Sequence, residues 1–483
     1  MTAQPLGAGG YVTDLAYPGL FHRETSPVWI AAILAATGQR APALDRPFRY
    51  LDLGCGPGLN VALLAAANPH GEFVGVDINP RHVEQGRKLA ALLPNLRFEE
   101  AGFDRLAQGD PFDAPFDFIV AHGVYSWVAA ERRADMHEIV RRWLAPGGLL
   151  YLHYTSHPGH SAFAGAQAML RRIADRTPGD SAAKLANGLA CIRALEAGGA
   201  GYLHAHPAVG RILLRPGEDA AYLAHDLLAA DWTALHSGDV IEQLEAVGCA
   251  FVASAALLDN IDALSVPGAA LPVIGRIGDV KARETARDLA RNQSVRRDLY
   301  RRGLAGLTPD AYHAQLEGLR YRALPGMRAG GDLTVEMTIG PVSVDAAMVD
   351  PLRALLRRGE ARFGDMLRGH PSGVTPGFLI RAVLMLMAAG EIHAAHPEGQ
   401  AGGETLRAFN RKMAPSGWLA APAIGSAVAL DHAERAVATA LLDDPGLGGK
   451  ALLRVLPTFD AEEVARVERA SIPVWRSLAI LPA

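Results

Sequence analysis

The chain has 483 residues, so two or three domains are expected rather than one. Hydrophobic residues make up 49% and charged residues 20%, with a net charge of −4, which fits a globular protein with a large core and excludes steering to nucleic acid or anionic membrane by bulk charge. Three cysteines far apart in sequence (Cys55, Cys191 and Cys249) make neither a disulfide framework nor a cysteine zinc site.

The N-terminus, "MTAQPLGAGGYVTDLAYPG", has no basic segment followed by an apolar one, so no secretory leader is expected and the protein is placed in the cytoplasm. "RYLDLGCGPGLNVALLAAANPHGEFVGVDINPRHVEQGRKLAALLPNLRFEEA" then reads as strand, glycine turn, helix, strand, helix and strand. "RYLDL" is an apolar strand ending at Asp52. "GCGPG" places Gly54, Gly56 and Gly58 where the backbone turns sharply and a ligand comes close. "EFVGVD" ends at Asp77, and Asn79 caps the next helix with Pro80 in its first turn. Such alternation predicts a parallel sheet with ligand at the carboxyl ends of its strands.

The glycine spacing is not that of a dinucleotide fold, and an acid ahead of the glycines repels a pyrophosphate while holding a cationic amine. The ligand implied has a ribose for Asp77, an amine near Asp52 and no phosphate, and S-adenosylmethionine meets all three conditions. This stretch resembles the class I S-adenosylmethionine-dependent methyltransferase fold. The resemblance implies an α/β, Rossmann-like sheet and a cofactor site made by Asp52, Gly54, Gly56, Gly58, Asn60, Asp77, Ile78 and His122. Gly102 stands where an acid often lies, so adenine contact falls to Phe103, Asp104 or the backbone.

"FDFIVAHGVYSWV" supplies the fourth strand and the loop expected beside the methyl-bearing sulfur. It lacks the Asn/Asp-Pro-Pro-Tyr motif of enzymes that methylate base amines or glutamine amides. Together, "YPGLFHRETSP", "LDLGCGPGLN", "FVGVDI", "AHGVYSWV", "YLAHDLL" and "RDLARNQSVRRDLYRRG" resemble bacterial proteins in which a methyltransferase domain precedes a methyltransferase regulatory domain. That group includes protein-lysine methyltransferases acting on outer-membrane proteins. The resemblance covers most of the chain and implies N-methylation of a protein lysine. The chain departs from the group after the fifth strand, reading "HYTSHPGH" where Ser-Tyr-Asn-Thr-x-Pro-Gly-Trp is usual.

"GGLLYLHY" is that fifth strand. The histidines at 153, 157 and 160 are not on one helical face, because Pro158 disfavours a helix there, and no metal site is expected. His153 is read as lining the substrate pocket or acting as a base. His157 and His160 are read as either pocket or solvated loop. An amine must lose its proton before it attacks a methyl group. Tyr125 and Tyr154, leaving adjacent strand ends, and Tyr17, in a segment that closes over the site, are the expected acceptors for its N–H groups.

Residues 160–220 read as a helical insertion, after which "AYLAHDLL" and "CAFVASAAL" are expected as the strands closing the sheet. In Arg283–Arg302, seven arginines read as a solvated helix face paired with Glu284, Asp288 and Asp298. "TPGFLIRAVLMLMAAGEI" opens with Thr375 as cap and Pro376 at its first position, and with Arg381 inside it is too short to span a bilayer. The domains expected are therefore 1–260 for methyl transfer, 261–330 as a regulatory or linker helical region, and 331–483 as a mainly helical accessory unit compatible with a winged-helix-like module. "LAAPAIGS" is expected to press small residues against a neighbouring domain. A protein or peptide substrate is favoured, and homo-oligomerisation is compatible with the sequence. A small-molecule (secondary-metabolite) methyltransferase is the alternative, followed by a cofactor-binding regulatory protein without transfer activity. A nucleic-acid modifier is disfavoured by charge.

Overall fold

The computed structural model describes residues 10–40, 42–214, 219–303, 306–397 and 403–482. Seven strands form one sheet: β1 Phe48–Leu53, β2 Gly71–Asp77, β3 Leu96–Glu100, β4 Phe116–Ala121, β5 Leu144–Thr155, β6 Cys249–Ser254 and β7 Val295–Arg302. Their order is β3-β2-β1-β4-β5-β7-β6, with β7 antiparallel to both neighbours and the others paired in parallel. β1, β2 and β4 are nearly continuous apolar runs because helices cover both faces of the sheet. The covering helices include α1 Pro27–Ala36, α2 Leu59–Ala67, α3 Pro80–Ala90, α4 Phe103–Gln108 and α5 Ala130–Trp143. As expected, the Asn79 side chain caps α3, accepting from the Arg81 amide at 3.0 Å.

Between β5 and the helix Ser237–Glu245 that precedes β6, the chain makes helices at Phe163–Ala174, Ser181–Ala197, Gly201–Ala205, Pro207–Leu213 and Ala220–Leu228. The last corrects the expectation that "AYLAHDLL" is a strand. Asp219 caps it, accepting from the Ala221 and Tyr222 amides at 2.7 and 3.1 Å. Ala224, Leu227 and Leu228 then fall on one helical face and join Leu170, Leu185 and Ile192 in a core of the insertion's own.

The seventh strand is the second correction. It comes from the arginine-rich run expected to be a solvated helix face, so the sheet closes at residue 302, past the expected boundary at 260. Only Val280–Arg291 is helical; Asn292, at φ 50°, ends the helix and "VRRDLYRR" becomes β7. The expected acid partners are found, but they are buried. Arg296, 4% exposed, donates to Asp288 at 2.5 Å, Glu284 at 2.8 Å and Asp298 at 3.0 Å, and Asp298 also accepts from Tyr154 and Tyr300. Removing the shared cation strands Asp288 and Asp298 in the interior and leaves Glu284 with Arg287 alone. Arg296→Met is expected to cost about 3–5 kcal/mol in urea unfolding.

The C-terminal part is mainly helical, with three small sheets: Leu333–Met337 with Gly340–Val344, Arg320–Ala323 between residues 361–362 and 392–394, and Trp418–Ala421 with Ser426–Ala429. Its helix Pro376–Ala388 is capped by Thr375, as expected. The "LAAPAIGS" turn docks on the sheet domain. Gly425 (φ 54°) comes so near α1 that a Cβ there would lie 2.5 Å from Val28, and its carbonyl accepts from Ser26 Oγ at 2.9 Å and Asn68 Nδ2 at 3.0 Å. One hydrophobic core runs through this contact, joining Val28, Trp29 and Val61 to Leu379, Ile392 and Ala420. No helix among the described residues is long and apolar enough to cross a membrane.

Candidate active site

A cavity of about 640 Å³ opens at the carboxyl ends of β1, β2 and β4, where the topology places a ligand. The turn after β1 holds Gly54 and Gly56 at φ 73° and 56°, a conformation that strains any residue with a Cβ. Asp77 fastens this turn, its Oδ2 accepting from the Gly56 amide at 2.9 Å and its Oδ1 from the Asn79 amide at 2.8 Å. Asp52, 4% exposed and without an ion pair among the described residues, faces the same space. Burial pushes its carboxyl up to about 7 against a hydrogen bond from Asn60, with Asp77 adding to the rise. A cation seated beside it would restore the carboxylate.

These donors and acceptors fit S-adenosylmethionine. The wall around the glycine turn offers two carboxylates to an ammonium and to hydroxyls, and Ala101, Gly102, Phe103 and Asp104 continue it past β3 where an adenine would lie. The two arginines that line the cavity, Arg132 and Arg297, come from other elements.

Asp52, Gly54, Gly56, Asn60, Asp77, Ile78, Phe103, His122, Tyr17 and His153 are brought together around the cavity. Three expected residues are not. Gly58, at φ 83°, starts α2 and packs on Phe98 and Gly86. Tyr125 is 1% exposed, and its hydroxyl bonds to His137 Nε2 at 2.7 Å. Tyr154 is fully buried, donating to Asp298 at 2.7 Å. Strand alternation is the reason for Tyr154: Tyr151 and His153 share one face of β5, and Leu152 and Tyr154 pack on the other. In the short turn Tyr125–Trp127 it is Trp127 that reaches the cavity. The three histidines diverge. His153 faces the cavity, His157 pairs with Ser161 Oγ at 2.7 Å, and His160 bonds to the Ser294 carbonyl at 2.7 Å.

Residues 10–22 strap the cavity. The Gly10 carbonyl accepts from the Ala230 amide, Asp14 from the Ser181 amide and hydroxyl, and the Leu15 carbonyl faces His225 Nε2. At its end, the His22 amide donates to Asn60 Oδ1 at 3.0 Å. Under the strap the rings of His22, His122 and His153 stack at 3.6 and 4.2 Å. Burial pushes all three imidazoles down, His22 to about 4 and His153 to about 3, and Arg297 adds to each shift. His153 Nδ1 takes the Gly123 amide hydrogen at 3.1 Å, so its proton sits on Nε2.

The sequence reading missed Tyr222, His225 and Asp226, which line the cavity with Tyr17 and Trp127. Their spacing puts the three on one face of the helix that was read as a strand. Tyr17 and Tyr222 lie 6.0 Å apart, and Trp127 Nε1 donates to the Asp226 carbonyl at 3.0 Å. Burial pushes the Asp226 carboxyl up to about 6, opposed by hydrogen bonding from Trp127.

Comparison with known proteins agrees with this geometry. Residues 51–150 match the family described as a methyltransferase domain, and residues 219–302 match a predicted methyltransferase regulatory domain. An uncharacterised protein of Synechocystis is 27% identical over 88% of this chain and 86% of its own. A trans-aconitate 2-methyltransferase of Methylobacterium nodulans is 33% identical over 28% of this chain and 47% of its own. PKMT2 of Rickettsia typhi, solved in complex with AdoHcy, superimposes with a TM-score of 0.72 over 96% of this chain and 99% of that one at 17% identity, a likeness of fold.

Proposed function

We propose that this S-adenosylmethionine-dependent methyltransferase transfers its methyl group to the amine of a protein lysine side chain. The observation that carries this reading is that Asp226 lines the cavity together with Tyr17, Tyr222 and Trp127, its carboxyl close enough to Tyr17 and Trp127 to interact with both. A carboxylate within aromatic faces is chemistry for an alkylammonium, which gains from both. The motif-level resemblance to protein-lysine methyltransferases and the match to a regulatory domain support it.

In this reading Asp77 takes the ribose hydroxyls, Asp52 the amino group, and Phe103 with its neighbours the adenine. S-adenosylmethionine, when bound, supplies a methyl group on a positively charged sulfur. Asp226 draws the lysine ammonium in and accepts one of its protons. Tyr17, whose hydroxyl burial keeps un-ionised, accepts an N–H and turns the lone pair toward the methyl. His153, held neutral with Nδ1 already occupied, shapes the wall and carries no proton away. The strap excludes water.

A second reading, a small carboxylic acid as acceptor, is favoured by Arg297, which lines the same cavity with Nε lacking an acceptor among the described residues. Methyl-tritiated cofactor separates the two. Offered a protein lysate and a metabolite extract, the enzyme is expected to label protein, with the label stable to alkali and located on lysine. Label only in small molecules, lost in alkali as an ester is, would sink the lysine reading and support the second.

A further inference from the structure

A second cavity, of about 350 Å³, lies outside the cofactor site, between the end of α1, the edge strand β6 and the helix Val280–Arg291. Arg283, Arg287 and Arg291 repeat every four residues along that helix and all line this cavity, and Arg296 of β7 lines it from the sheet. Arg291 is 4% exposed, and the Nε atoms of Arg287 and Arg291 are buried with no acceptor among the described residues.

The acids here are engaged. Glu284 is shared between Arg296 and Arg287, Asp262 between Arg287 and Arg291, and Asp259 accepts from Gln293 at 3.3 Å. Arg283 makes no ion pair among the described residues and donates to the Ile277 carbonyl at 3.3 Å. Guanidinium groups on three successive turns of one helix line the cavity, that of Arg283 without an ion pair among the described residues, and together form a surface for a ligand rich in anionic oxygens.

We propose that this cavity binds a small polyanion, a metabolite-sized molecule carrying two or more phosphate or carboxylate groups. The volume suits such a ligand, near the lower end of small-molecule sites. Apart from Thr37 and Gln39, its lining lies within the residues matched to a methyltransferase regulatory domain, and through β7 it shares a wall with the active site. Arg296 faces this cavity and the next residue of β7, Arg297, faces the cofactor cavity, so a ligand that holds β7 is felt on both sides of the sheet. The proposal stands apart from the identity of the methyl acceptor.

The test is calorimetric titration of the full chain, saturated with AdoHcy, with pyrophosphate and with citrate at fixed ionic strength. Saturable binding of one equivalent of either probe, submillimolar in Kd, is expected. Arg283→Glu should weaken it at least about tenfold while the affinity for AdoHcy stays unchanged. Arg276→Glu, an exposed position outside the cavity, should leave it unchanged. Pyrophosphate alone points to a phosphate-bearing ligand and citrate alone to a polycarboxylate, and either supports the site. Absence of saturable binding by both probes overturns it. So does binding that ignores Arg283→Glu, or equal weakening by both variants, which would mark diffuse charge attraction.

Discussion

Replacing Asp77 with alanine is expected to weaken S-adenosylmethionine binding by at least about 100-fold. The carboxylate already accepts from the Gly56 and Asn79 amides and lies 3.3 Å from His82 Nδ1, so its remaining lone pairs are aimed and fixed before the ligand arrives. Two ribose hydroxyls donating to it make two charge-assisted hydrogen bonds, each worth about 1.5–3 kcal/mol. The variant loses both and also the tie that holds the glycine turn in its left-handed conformation. Titration calorimetry measures the loss, and a thermal melt separates it from unfolding. Asp77→Asn, which keeps one acceptor oxygen, should fall between. Affinity within about threefold of wild type in Asp77→Ala would place the ribose elsewhere.

The second large effect is expected at Asp226, on the helix wall of the same cavity. Asp226→Asn should lower kcat/KM for methyl transfer by about 10²- to 10⁴-fold, the range for a lost proton acceptor, while S-adenosylmethionine still binds. The sign of the pH dependence follows from burial. The carboxyl is pushed up to about 6, so the form that attracts an ammonium and takes its proton exists above that pH and disappears below it. The wild-type kcat/KM should therefore rise with pH through about 6 before the amine's own ionisation dominates, and Asp226→Asn should lack that limb. An unchanged profile in the variant would remove Asp226 from the chemistry.

The part of this cavity built on the glycine turn and strand ends could be read directly from sequence, and the rest could not. Between Tyr50 and Glu100, local signals agree: apolar strands bury both faces, glycines stand where φ is positive, and Asn79 with Pro80 starts a helix. There the cavity wall is made of backbone and strand-end acids, whose positions the topology dictates. The rest of the cavity depends on which way side chains turn. Tyr154 and His153 are neighbours in sequence on opposite faces of β5, and "AYLAHDLL" carries an alanine-rich texture that hides its helical period until Asp219 is seen to cap it. β7 was hidden by its charge. A strand bearing Arg296, Arg297 and Asp298 looks solvated unless its partners, folded onto it from the helix Val280–Arg291, are already in place.

The docking turn at Gly425 bears on how this protein can be taken apart. Its carbonyl is held by Asn68, the residue that ends α2, and α2 begins at the glycine turn. Val28 and Trp29 of α1 belong to the same core as Leu379 and Ile392 of the C-terminal part. A fragment ending at residue 302 would show that apolar seam to water, and a C-terminal part borrowed from a relative would meet Val28 with whatever side chain replaced Gly425. The halves therefore have to be engineered as a pair, and chimaeras joined after β7 should need the α1 and α2 surfaces of the donor of the C-terminal half to stay soluble.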